Sequence, residues 1–161
     1  MKRIALLFAA LCLMLLGCNL LMEDDFNAYL DDRNKLINKE IKAFEEAKEN
    51  FAAMMEDPNA KAQVEKSIEK YEALVKEAES MNFDKLEDLS KSQENFIKAI
   101  QSNAEGLKLS LSAFEKQDTA LDEESYAKFI EAQDFGKKSE TELEKFAEDN
   151  NFTLEETKTN E

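Results

Sequence analysis

The chain is 161 residues long, with 36 acidic residues, 21 basic ones and no histidine, and its formal net charge is −15. The missing imidazole excludes a Ser-His-Asp triad, a Cys-His pair, the usual zinc sites, attached c-type haem and the Glu-x-x-His pairs of di-iron bundles. The acidic balance disfavours nucleic acid and anionic lipid surfaces, because approach to a phosphate array is repulsive over about a Debye length. It favours solubility and basic partners.

Met1, Lys2 and Arg3 form a basic start, and residues 4–16 are an unbroken apolar run, the n- and h-regions of a secretory signal. The run is shorter than the about 20 apolar residues that a spanning helix needs. At its end stand Leu15, Leu16, Gly17 and Cys18. This tetrad resembles the lipobox of bacterial lipoproteins, with leucine at its head and a small residue just before the cysteine. The resemblance implies that a diacylglyceryl group is attached to the Cys18 sulfur. It also implies that a signal peptidase cuts between Gly17 and Cys18, removing residues 1–17. Leu16 departs from the small or β-branched residue more usual at its place. The competing reading is an uncleaved anchor running on through Leu20, Leu21 and Met22, with Lys2 and Arg3 inside and Glu23, Asp24 and Asp25 outside. Either way the body lies outside the cytoplasm.

Cleavage would remove Lys2 and Arg3, leaving 19 basic residues against 36 acidic ones, a mature charge of −17. Cys12 lies in the apolar run and Cys18 is the acylation site, so the mature body keeps no thiol for a disulfide, a metal or a nucleophile. In the diderm families that the lipobox resembles, aspartate after the cysteine is the commoner signal for inner-membrane retention. Asn19 therefore leans towards an outer membrane, on its periplasmic or surface face. A Gram-positive origin would make the cytoplasmic membrane the anchor.

Residues 18–23 read as a short stem spanning at most roughly 20 Å, which keeps the body close to its membrane. The first helix is predicted over residues 24–55. Leu30, Ile37, Phe44 and Phe51 recur every seven residues, with Phe26, Ile41 and Met55 on the same face. A second row of Tyr29, Leu36, Ala43, Ala47 and Met54 widens the stripe, which predicts the most buried helix of the set. Asp57 and Pro58 suit the cap and first position of the next element. The second helix carries a narrow stripe of Val64, Ile68, Tyr71, Val75, Ala78 and Met81.

Asp84 followed by Glu87 resembles a capping box. The third helix continues through Leu86, Leu89, Phe96, Ile97, Ile100, Ala104, Leu107, Leu111 and Phe114. Gly106 inside it costs roughly 1 kcal/mol against alanine and marks close packing or a bend. Thr119 or Asp122 caps the fourth helix. There Tyr126, Phe129 and Ile130 face one way while Phe135, Leu143 and Phe146 face another, so a kink or short break is predicted over residues 134–138, near Gly136. Asn150 and Asn151 suit a C-cap, after which Phe152 and Leu154 fold back on the body. Residues 155–161 read as a disordered polar tail.

With 3 Gly and 1 Pro, and with short polar turns between stripes, residues 24–154 are expected to form an all-α domain. The architecture expected is an antiparallel four-helix up-and-down bundle with long amphipathic helices and a left-handed supercoil. Carboxylates crowd at Asp24, Asp25, Asp31 and Asp32 and at Glu45, Glu46 and Glu49, but so acidic a chain makes close pairs by density alone, and nothing nominates an acid, base or nucleophile. No calcium-loop spacing and no Gly-rich phosphate loop occur, so neither a metal nor a cofactor is expected. Leu109, opposite the main face of its helix, and Ile130, at the edge of its stripe, are candidate contact positions, with Gly136 the candidate hinge.

These features lead to a non-enzymatic lipoprotein, anchored to the membrane through Cys18, that acts in interaction, adhesion or envelope scaffolding through a protein partner, a basic one being favoured. The alternative is a periplasmic ligand-binding or regulatory module with a pocket beside the fourth helix, near Phe129, Phe135 and Leu143.

Overall fold

The computed structural model describes residues 2–83 and 85–154, with side chains from Leu21 onward. The lipobox side chains, Asp84 and the tail of residues 155–161 lie outside the described residues. The described chain is all-helical: α1 Lys2–Glu56, α2 Lys61–Glu79, α3 Ser90–Lys116 and α4 Thr119–Asn150, with 3-10 turns at Pro58–Ala60 and Glu87–Leu89. Among the described residues, no helix is long and apolar enough to cross a membrane.

α1 does not begin at residue 24. It runs without interruption from Lys2, so the expected stem is part of the helix. The reason is local: its 55 residues contain no proline, one glycine and many Ala, Leu, Met and Glu, all good helix formers. At 1.5 Å per residue the rise from Cys18 to Asp24 is about 9 Å. The helix ends before Asp57, whose carboxylate accepts from the Asn59 amide at 2.9 Å while Pro58 takes the first position of the 3-10 turn.

The two rows of α1 exchange the roles that their hydropathy suggests. Tyr29, Leu36, Ala43, Ala47 and Met54 are buried, together with Phe26 and Arg33. Leu30, Ile37, Phe44 and Phe51 are half-buried, while Ile41 and Met55 are exposed. The buried row packs into the core among the helices, and Ile37, Phe44 and Phe51 of the other row line a gap towards α4.

Cross-helix contacts define how neighbours lie. Asn50 donates to the Ser67 hydroxyl at 2.8 Å, and Lys39 pairs with Glu77, so numbers rise along α1 as they fall along α2. Lys108 pairs with Glu72 at 2.6 Å, and the Gln93 amide donates to the Ala78 carbonyl at 2.6 Å, which relates α2 and α3 in the same sense. One core cluster joins Leu36, Met54, Val64, Tyr71, Phe96 and Ile100 among α1, α2 and α3. A second lies around Phe26 of α1 and the C-terminal end of α4, where the rings of Phe26, Phe146 and Phe152 sit 5.2 to 6.1 Å apart. Phe152 reaches it because Asn151 adopts the left-handed conformation (φ 58°) and the Phe152 amide turns back to the Ala147 carbonyl at 2.8 Å.

α4 is one continuous helix through Gly136, so the predicted short break is absent. The apparent change of phase comes from counting the wrong residues as core. Tyr126 (68% exposed) and Ile130 (41%) point outwards, and Phe135 lies half-buried under the ammonium groups of Lys98 and Lys138. The buried seam is instead Ser125, Ala132, Ser139 and Phe146, at every seventh position along the whole helix. Its N-cap is Asp118, accepting from the Ala120 amide at 2.9 Å, and not Thr119 or Asp122. Asp118 sits one residue earlier because α3 ends on Gln117 in the left-handed conformation (φ 51°), which turns the chain at once.

Opposite this seam α3 presents Ser92, Ala99, Gly106 and Ala113, also at sevens and all buried. Small side chains on both helices permit close approach. The Ser125 hydroxyl donates to the Gly106 carbonyl at 2.9 Å, and a Cβ on Gly106 would lie 2.7 Å from the Phe129 ring. Of the two expectations for Gly106, close packing is the one realised.

Candidate functional site

The tight α3–α4 pair and the looser approach of α1 to α4 together leave a cleft. α1 reaches α4 through side chains: Phe44 meets Phe129 edge-on, with centroids 5.9 Å apart, and Arg33 donates to the Ser139 hydroxyl at 3.0 Å. Phe44 and Phe129 divide the cleft into two lobes that share Lys48 at their junction. The larger lobe, about 720 Å³, is lined chiefly by Phe51, Met55, Leu107, Ala113 and Phe114. The smaller, about 460 Å³, lies between Arg33 and Ile37 on α1, Phe96 and Asn103 on α3, and Gly136 on α4.

Polar groups rim the larger lobe at Lys48, Ser110, Asp118 and Asp122, whereas those of the smaller lobe tie helices together. Glu40 accepts from the Asn103 amide at 2.8 Å, and burial pushes its carboxyl above the usual carboxylate range despite that bond. The Tyr71 hydroxyl donates to the Glu40 carbonyl at 3.4 Å; burial first, then the Glu40 charge, raises it above the ordinary phenol range. Arg33, 4% exposed, stacks its guanidinium on the Phe96 ring at 4.4 Å and also donates to the Tyr29 hydroxyl at 3.4 Å. Tyr29 in turn donates to Gln93 at 2.9 Å.

The residues singled out from the sequence are dispersed. Gly136 lies on the wall of the smaller lobe. Ile130 borders a separate shallow depression with Lys128, Phe135 and Lys138, and Leu109 is half-buried outside the cleft. Cys18 and Gly17 lie outside the described side chains. Of the pocket expected beside Phe129, Phe135 and Leu143, only Phe129 lines the cleft; Leu143 is packed in the aromatic cluster. The clustered carboxylates spread along the outer faces of α1, where Asp25 pairs with Lys85 and Asp32 with Lys35, each at 2.9 Å. Among the described residues no group of three metal-ligating side chains converges.

Arg33 and Glu40 escaped sequence reasoning. Their signal was positional: Phe26, Arg33, Glu40, Ala47 and Met54 form one row at sevens, with two charges inside an otherwise apolar register. Against protein-family models, curated proteins and solved structures, the chain matches none.

Proposed function

We propose that the protein is a bacterial envelope lipoprotein, held by acyl chains on Cys18, whose antiparallel up-and-down four-helix bundle binds a ligand and catalyses nothing. The observation that carries this reading is the two-lobed apolar cleft beside α4. Both lobes fall in the roughly 300–1,000 Å³ range of small-molecule sites. Catalysis would need an acid or base poised against a nucleophile, whereas the polar groups here are engaged between helices, Arg33 with Ser139 and Glu40 with Asn103. The zipped α3–α4 pair supplies a firm wall, and two or more acyl chains give stable anchoring where one is marginal.

Recruitment or adhesion through a basic protein partner is the second reading. Met55 (74% exposed) and Phe114 (41%) at the mouth of the larger lobe, beside Asp118 and Asp122, favour it. Both readings place the chain at an envelope membrane, the outer one where the organism has two.

A fluorophore on Ala52→Cys, at the rim of the larger lobe, tests the cleft in the full chain. A saturable blue shift on adding dodecanol supports the binding reading; no response rejects it. Cys18→Ser is expected to release the chain from membranes and abolish its acyl mass, and retention of both would reject the anchor. Protease access to the C-terminal tail on intact cells, with lysed cells as control, separates surface display from a periplasmic location.

A further inference from the structure

We propose that Arg33 anchors the anionic head of a single-chain amphiphile, a carboxylate with an apolar tail, in the smaller lobe of the cleft. The inference rests on the cleft being a binding site and names its ligand class. A buried cation is costly unless it is paired. Arg33 is 4% exposed in a chain with 36 acidic residues, yet its partners are neutral: Ser139, Tyr29 and the face of Phe96. Both hydrogen bonds come from Nη1. Among the described residues no buried side-chain nitrogen or oxygen lacks a partner. Nε and Nη2, which bond to nothing among the described residues, are therefore not fully buried, and Arg33 lines the lobe. The planar guanidinium matches a carboxylate with two parallel N–H bonds.

Gly136 is the second observation. A glycine inside a helix is unfavourable, and unlike Gly106 this one is not required by packing, because a Cβ there would meet nothing within 4 Å. What the missing side chain provides is room on the wall of the lobe that Arg33 lines. Ile37, Phe44, Phe96 and Phe129 supply the apolar surface, and Phe44 and Phe129 also border the larger lobe into which a tail can run. One negative charge suits the site better than a phosphate dianion. Glu40, Glu45 and Glu140 also line it and repel any anion, so a single charge paired by Arg33, with Lys48 on the same wall, is penalised less than a dianion.

The test is photolabelling of the full chain in phosphatidylcholine nanodiscs with diazirine-bearing hexadecanoate and, separately, the matched hexadecanol. The acid is expected to label peptides containing Phe44, Phe96 or Phe129 about tenfold more than the alcohol, the factor that 1.4 kcal/mol of head-group pairing gives. Arg33→Met should bring the acid down to the alcohol level, and Arg33→Lys should fall between. Gly136→Phe, whose Cβ meets open space and which raises helix propensity, narrows the smaller lobe and should lower labelling of the Phe96 peptide by both probes. Helical circular dichroism on each variant guards against a folding defect. Equal labelling by acid and alcohol, unchanged in Arg33→Met, overturns the anion anchor while leaving the cleft a binding site. Absence of cleft labelling by either probe overturns both.

Discussion

Ser92 and Ser139 each donate a hydroxyl hydrogen to the other's backbone carbonyl, at 2.8 and 2.6 Å, and both side chains are fully buried. This reciprocal pair clamps α3 to α4 with backbones close enough for a two-atom side chain to bridge them. Losing a neutral hydrogen bond costs about 1 kcal/mol net, rising into the range of about 1–3 kcal/mol where a buried partner is left unpaired. Ser92→Ala is therefore expected to lower unfolding free energy by about 1–2 kcal/mol in urea titrations. Ser92→Leu should lower it more, because the added bulk must separate the helices. A Ser92→Leu variant as stable as wild type would contradict the close seam.

Gly106 and Gly136 should respond oppositely to one added methyl. At Gly136 the new Cβ meets open space, so Gly136→Ala should stabilise by about 1 kcal/mol through helix propensity alone. At Gly106 the same gain is outweighed. The Cβ would meet Phe129, itself held against Phe44, and overpacking typically costs about 1–3 kcal/mol. Thermal melts of the two variants decide the matter by the sign of their shifts.

Glu40 introduces a pH dependence whose direction follows from its environment. Burial raises its folded-state pKa above the ordinary 4.5, so between that value and the raised one the folded chain binds more protons than the unfolded chain. Stability from this group is thus present below the unfolded pKa and lost as pH rises through the folded pKa. Glu40→Gln can still accept from Asn103 and has no charge to bury. It should be more stable than wild type near neutral pH and no better below about pH 4. Parallel unfolding curves at the two pH values read the difference.

Phe152 lies beyond the last helix yet packs against Phe26 and Phe146 with ring centroids 5.3 and 6.1 Å away. Phe152→Ala should cost about 3 kcal/mol, the low end for removing a buried ring, because the site is near a chain end. Hydrogen exchange should report the loss first at the C-terminal turns of α4 and around Phe26 in α1. Exchange unchanged in α1 would count against this packing.

The sequence by itself determined that the described chain is helical, where the turns fall, and that Asp57 and Asn151 sit at helix ends. These are local properties: few glycines and one proline, seven-residue periodicity, and side chains suited to caps. Only the tertiary structure decided which row of α1 is buried, why α4 runs unbroken past Gly136, and that Arg33 borders a cleft. The α3–α4 seam is built from Ser, Ala and Gly, whose hydropathy is too weak to mark a core face. Their value is small size, which is realised only when a second helix of matching small residues comes close. That approach draws Tyr126 and Ile130 out of the core, leaves Ile37, Phe44 and Phe51 of α1 lining a gap, and so creates the cleft that no single helix specifies.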